Sequence, residues 1–274
     1  MSAIDNKNNL KTLRDWQDKR LLSYGSHPVF DKIGPQNVTV LTYFFRPIDQ
    51  IALFFPYTIC AIYETWRHCG PMKTIIVTNA PNTTIEEFRS KNAEWISVQI
   101  DPSLIPGDIN AMSRDCNSKL YTRFNTDHVL IIQDDGFPLR TGLESFLGKF
   151  DYLGAPFRRP NIRGWLASCL LRHCPANGGF SLRTRKICKL AAAYWHKHYS
   201  NHHFSPEEGE DMFYTDILPR RHILYRLSTH VGDAITCGRF SYDESFPSCP
   251  PRNPFGFHSA RAFRTLLNSG YITQ

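Results

Sequence analysis

The run His128-Val-Leu-Ile-Ile-Gln133 is apolar without interruption and stops on Asp134-Asp135-Gly136. A strand apolar on both faces is covered on both faces, so it belongs in the middle of a sheet with helices above and below. The surrounding chain fits that demand. Residues 38–44, 74–78 and 95–100 read as further strands. Helical patterns separate them over about residues 57–68, closed by Gly70-Pro71, and over residues 84–90. Ile109, Met112, Cys116, Leu120 and Phe124 then recur at helical spacing. Alternating strands and helices predict an α/β fold with a mostly parallel central sheet flanked by helices, whose ligands bind beyond the carboxyl ends of the strands. After Leu139 the pattern is less regular until a helix over residues 184–198.

Residues 1–35 read as a polar N-terminal extension with a short helix, Leu10, Leu13, Trp16 and Leu21 lining one side that meets the core or a membrane surface. Residues 36–274 read as a single domain, without repeats or a dividing linker. With 42% hydrophobic and 21% charged residues the chain is neither disordered, a coiled coil nor collagen-like. No apolar run approaches the roughly 20 residues that span a bilayer. The first thirty residues lack an export signal, and eight cysteines without a CxxC pair are expected as free thiols in a reducing compartment.

The net charge of +7 is unevenly placed. Residues 152–206 hold nine lysines and arginines and no acid, which predicts either an anionic partner or a solvated basic face. Nucleic acid is not that partner, since no recognition helix, zinc finger or RNA-binding aromatic motif is present. His196, His198, His202 and His203 read as a surface tract.

Four places carry chemistry. Asp134 and Asp135 follow a buried strand, where alternation sends one carboxylate into the cleft, suited to Mg²⁺ or Mn²⁺, and Gly136 permits a turn. Asn177-Gly-Gly-Phe-Ser-Leu-Arg183 precedes a helix; its glycines read as a turn or as a close approach to substrate, and Ser181 as a helix cap. Glu207-Glu-Gly-Glu-Asp211 restores acid abruptly, more carboxylate than a helix start needs, and offers a general base. Pro254-Phe-Gly-Phe-His258 brings in a late histidine, either a core residue or a metal ligand.

Taken in order, IIQDDGFPL, DYLGAPF, NGGFSLRTRK, EGEDMF and NPFGFH resemble a glycosyltransferase-like family of the GT-A fold from bacterial surface-polysaccharide clusters, over residues 38–260. The resemblance implies a Rossmann-like sheet, a nucleotide-sugar donor and a Mn²⁺ or Mg²⁺ ion on its diphosphate. The family's Asp-x-Asp stands here as Gln133-Asp134-Asp135, with Gln133 replacing the first acid. It implies Asp135 and His258 as metal ligands and Glu210-Asp211 as the catalytic pair, with Asp211 the base. Asn177, Gly178 and Gly179 would shape the donor and acceptor side, with Gln133 and Asp134 beside them. Thr42 and Tyr43 would lie near the nucleotide base, and Asn117 and Arg123 would add contacts.

The expected activity is transfer of a sugar to a glycan or lipid-linked hydroxyl with inversion, in the cytoplasm or peripherally at the inner membrane face. The competing expectation is a non-catalytic binding module of the same fold, favoured by Gln133 and opposed by the intact Glu210-Asp211 pair. A nucleotidyltransferase would want an early Gly-rich loop, which the sequence lacks.

Overall fold

The structure is a computed structural model that describes residues 3–25, 28–156, 176–199, 209–243 and 253–272. Its centre is a six-stranded sheet in the order β3-β2-β1-β4-β6-β5. β1 (Val38–Phe44), β2 (Thr74–Thr78), β3 (Ile96–Ile100) and β4 (His128–Ile131) run parallel. β5 (Tyr152–Pro156) and β6 (Ala176–Thr184) extend the sheet through antiparallel pairs. This is the expected α/β class, a mostly parallel sheet flanked by helices. β4 is buried along its whole length between β1 and β6, as its unbroken apolar run requires.

The helices start where short polar side chains satisfy free backbone N–H groups. Asn82 Oδ1 accepts from Thr84 N at 2.9 Å ahead of α3 (Thr83–Lys91). Asp108 Oδ1 accepts from Asn110 N at 2.9 Å ahead of α4 (Ile109–Arg123). Thr184, not Ser181, caps α5 (Arg185–His198), its Oγ1 accepting from Ile187 N at 3.2 Å.

Two helices differ from the sequence expectation. α2 spans Ile51–Cys69 and begins six residues early, carrying Pro56 inside it. Proline there removes one intrahelical bond, and the early turns bury Ile51 and Phe55 against the core. α1 is not short but runs 22 residues, Ala3–Tyr24. Its Leu13 and Trp16 are buried, Trp16 stacking on Phe137 at 6.0 Å and meeting Phe263 of the last helix at 5.2 Å. Leu13 and Trp16 of that side therefore meet the core, whereas Leu10 is 42% exposed.

The remaining elements follow β6 and α5. α6 (Glu210–Met212) leads through a π-helical turn, Phe213–Ile217, into α7 (Leu218–Arg221) and α8 (Ile223–Ser228). α9 (Ala234–Phe240) precedes β7 (Ser241–Tyr242), which pairs with β8 (Gly256–Phe257), and α10 (Ala260–Asn268) closes against α1. Cys60, Cys69, Cys116, Cys188 and Cys237 are buried free thiols. Among the described residues no helix is long and apolar enough to cross a membrane.

Candidate functional site

Beyond the carboxyl end of β4 the chain makes a tight turn. Gln133 and Gly136 exchange backbone hydrogen bonds of 3.0 and 3.1 Å, leaving Asp134 and Asp135 at the tip. The two acids find different partners. Asp134 Oδ2 accepts from Arg14 Nη2 of α1 at 2.6 Å, and its carbonyl accepts from Gln17 Nε2 at 2.6 Å. Asp135 Oδ1 lies 3.8 Å from His258 Nε2, which β8 delivers. The sequence reading missed α1's part in the site, because Arg14 belongs to none of the motifs.

His258 is held from both sides. Its Nδ1 donates to Asp243 Oδ2 at 3.0 Å and its Nε2 to Gln133 Oε1 at 3.1 Å. Burial disfavours a charged ring, but Asp135 and Asp243 outweigh that penalty and raise its pKa to about 9. Asp243 also accepts from Asn177 Nδ2 at 3.2 Å. It sits in no motif the sequence singled out; only the fold carries it beneath the imidazole.

Asn177-Gly178-Gly179 is not a turn but part of strand β6. β6 pairs with β5 on either side of an irregularity, Gly154 opposite Ser181 and Ala155 opposite Asn177, which leaves Gly178, Gly179 and Phe180 without β5 partners. Neighbouring side chains require both glycines. A Cβ on Gly178 would sit 2.2 Å from Glu210 Oε1, and one on Gly179 would sit 2.1 Å from His258 Nε2 and 2.8 Å from Gln133 Oε1. The two glycines open one face of the strand to the acids and the other to the histidine.

Glu210 is buried and accepts from Arg183 Nη2 at 3.3 Å and from Ser113 Oγ at 3.4 Å. Arg183, counted in the sequence as one more cation of the basic segment, is fully buried. Its guanidinium lies 5.0 and 4.8 Å from the rings of Tyr152 and Tyr214, and its Nε donates to Ser181 Oγ at 3.1 Å. Asp211 Oδ1 accepts from Met212 N at 2.7 Å. Burial, then the charge of Glu210, raise the Asp211 pKa to about 7, against the pull of the Met212 N–H and of Arg183.

These groups share one space. A cavity of about 330 Å³ is lined by Ser113, Gln133, Asn177, Gly179, Glu210, Asp211 and His258, among others. A neighbouring cleft of about 170 Å³ runs past Tyr43, Phe45, Arg46, Gly107 and Asp134. The two share Ile109, Met112 and Gln133. Asp211 and His258 therefore face one cavity, with Asp135 beside His258, at the end of the sheet where α/β folds bind ligands.

Three residues expected at the nucleotide line neither space. Thr42 and Asn117 are buried, and both polar atoms of the Asn117 side chain lack a hydrogen-bond partner. Arg123 is committed to Asp101 and Asp115, the latter also accepting from the Tyr43 hydroxyl at 2.6 Å. Glu207, Glu208, His202, His203 and four arginines of the basic segment (Arg158, Arg159, Arg163 and Arg172) lie outside the described residues.

The residues fit a small divalent cation in a limited way. Asp135 Oδ1 and His258 Nε2, 3.8 Å apart, could share one ion once Nε2 gives up the proton it holds toward Gln133 Oε1, which would then add a neutral oxygen. Asp243 on the far nitrogen is the outer partner such ligands usually have. The bare Cα of Gly179 keeps the space beside them clear. No three His, Cys, Asp or Glu side chains among the described residues converge on one ion, so an ion held here would need further oxygen ligands from outside the chain.

Fold and site together define an α/β protein with a mostly parallel six-stranded sheet, an acidic cavity and a histidine–carboxylate cluster beyond the central strand. A family model described as "Protein of unknown function (DUF5672)" matches residues 100–258, over half of the chain, and the chain belongs to that family. No curated protein matches the sequence.

Solved structures resemble it in fold at low identity. Core-mannan synthase A from Aspergillus fumigatus, in a Mn/GDP form, is 10% identical with a TM-score of 0.41, over 66% of this chain and 67% of that one. Mouse xyloside xylosyltransferase 1 is 12% identical with a TM-score of 0.45, over 85% and 98%. The glycosyltransferase GlyE of Streptococcus pneumoniae is 12% identical with a TM-score of 0.46, over 88% and 55%.

Proposed function

We propose that the chain is a glycosyltransferase that moves a sugar from a nucleotide-sugar donor to a hydroxyl of a glycan or lipid-linked acceptor. The observation that carries this reading is the single cavity in which Asp211, with a pKa of about 7, faces His258 and its neighbour Asp135. The cleft past Tyr43 takes the nucleotide base, and the larger cavity takes the sugar and the attacking hydroxyl.

Asp135 and His258 would hold Mn²⁺ or Mg²⁺, which offsets negative charge on a departing diphosphate. Asp211 accepts the proton of the acceptor hydroxyl. Its raised pKa makes it a stronger base than an exposed carboxylate while leaving a substantial ionised fraction at neutral pH. Glu210, fastened to Arg183, stays in place as the fixed anion that keeps Asp211 basic. The hydroxyl oxygen forms its bond to the anomeric carbon on the face opposite the diphosphate as the bond to the diphosphate breaks, which inverts the centre. In this reading the protein works in the cytoplasm on bacterial surface polysaccharide, the setting its motif series suggests.

The test is Asp211→Asn, assayed for transfer and for slow nucleotide-sugar hydrolysis with Mn²⁺ present. The variant loses turnover by at least about 100-fold, the usual worth of a general base, and keeps donor binding. Unchanged turnover removes Asp211 from the role. Absence of hydrolysis and transfer in the parent protein with every common nucleotide-sugar favours the non-catalytic module.

A further inference from the structure

The helical stretch that begins at Glu210 ends at Arg221, and after an extended His222 the chain turns into α8, a surface of a different kind. Residues 218–228 read Leu-Pro-Arg-Arg-His-Ile-Leu-Tyr-Arg-Leu-Ser, with four basic or imidazole side chains and no acid. In α8 the side chains of Ile223, Leu224 and Leu227 are 59%, 70% and 75% exposed. Single exposed aliphatic residues are ordinary, but three within five residues of one short helix form a patch.

The patch is rigidly mounted. Tyr225, between the exposed residues, is fully buried and donates to Tyr214 O at 3.1 Å, and Thr229 Oγ1 closes the helix on Tyr225 O at 2.8 Å.

Cations ring it. Arg220 is exposed and shares Asp216 at 2.9 Å, whereas Arg221 and Arg226 have no carboxylate partner among the described residues. The end of α5 packs alongside: Tyr194 meets His222 at 4.3 Å and His198 meets it at 4.8 Å. Lys197 and His198 there are exposed. Burial, and then the neighbouring His198, Arg221 and Lys197, hold the His222 pKa down.

Aliphatic tips ringed by cations, of which Arg221 and Arg226 have no carboxylate partner among the described residues, match one partner chemistry better than others. A bilayer with anionic headgroups presents negative charge at its surface and hydrocarbon just beneath it, in the same order as the arginines and the aliphatic side chains here. We propose that α8 and the basic residues around it, Lys197, Arg220, Arg221 and Arg226, are the surface by which this protein binds an anionic lipid bilayer. The proposal stands apart from the glycosyl-transfer reading and uses none of the cavity residues. It moves the membrane contact from α1, whose Leu13 and Trp16 are in the core, to a short helix separated by an extended His222 from the helical stretch bearing Asp211.

The test is cosedimentation of the full chain with phosphatidylcholine vesicles, with and without phosphatidylserine. The protein binds only when phosphatidylserine is present. The triple variant Ile223→Ser, Leu224→Ser, Leu227→Ser loses at least about tenfold in partitioning, as burial of three aliphatic side chains implies. Arg221→Ala and Arg226→Ala each lose about fivefold. Leu22→Ser, at an exposed site on α1, binds as the parent does, and all variants keep the parent's thermal midpoint.

Failure to bind phosphatidylserine vesicles overturns the proposal. Undiminished binding by a folded triple variant overturns it as well. So does a concentration-dependent dimer that the triple variant abolishes in the absence of lipid binding, because the patch then joins two copies of the chain.

Discussion

Replacing Arg183 with methionine tests whether the acidic cavity is held by a buried ion pair. The guanidinium is fully buried, its Nη2 lies 3.3 Å from Glu210 Oε1, and the tyrosine rings at 4.8 and 5.0 Å exclude water. Methionine keeps most of the volume and removes the charge, leaving Glu210 with the Ser113 hydroxyl at 3.4 Å and with Asp211 next in sequence. Breaking a buried pair by removing one partner typically costs about 3–5 kcal/mol. The long 3.3 Å contact and the unpartnered Nη1 place this one near the lower end, about 3 kcal/mol. For a domain of this size that lowers the melting temperature by about 6–12 °C.

The double variant Arg183→Met, Glu210→Gln removes the stranded charge and regains a large part of the loss. Urea and thermal unfolding of the parent, both single variants and the double variant give the coupling directly. Two results refute the reasoning. One is a methionine variant as stable as the parent. The other is a double variant whose loss equals the sum of the singles.

Two further predictions concern the chemistry. Under the proposed function the rate of transfer rises with pH through an apparent pKa near 7, because a base at Asp211 acts only when ionised; a pH profile of kcat/KM checks this, and the limb disappears in any Asp211→Asn residual activity. The same raised pKa means that the protonated form favours the folded state, so this group's contribution to stability is present at low pH and lost as pH rises from about 4 toward 7. Asp243→Asn removes the carboxylate charge behind His258 and, under the proposed function, weakens metal-supported nucleotide binding by about 10–100-fold in calorimetry, with little change in metal-free binding.

The sheet was legible because its strands are written in apolar and β-branched runs. Residues 38–44 and 74–78 form strands with the expected boundaries, and the run after His128 is the buried centre. Pro56 misled the reading of α2, since a proline reads as a boundary whereas here burial of Ile51 and Phe55 carries the helix through it. The glycines of β6 read as a turn because the atoms that forbid a Cβ belong to Glu210, His258 and Gln133, which are distant in sequence.

Motif order singled out Asp135, Glu210, Asp211 and His258, and the fold places the last three around one cavity with Asp135 beside His258. That order gave no sign of Arg14, Arg183 or Asp243, whose partners exist only after folding. Nor does helical spacing distinguish the outward side chain of Ile109, which lines both cavities, from that of Asn117, which is buried.

A thermal-shift series of nucleoside diphosphates, each with and without Mn²⁺, on the parent and on Asp135→Ala bears most directly on the cavity. A ligand bound only by the folded state at a hundred times its Kd adds about 2.7 kcal/mol of stability. At least one nucleoside diphosphate raises the parent's melting temperature when Mn²⁺ is present, and Asp135→Ala abolishes that metal-dependent increment. A parent that no nucleotide stabilises, or an Asp135→Ala variant that keeps the full increment, contradicts a nucleotide-sugar site at Asp135 and His258.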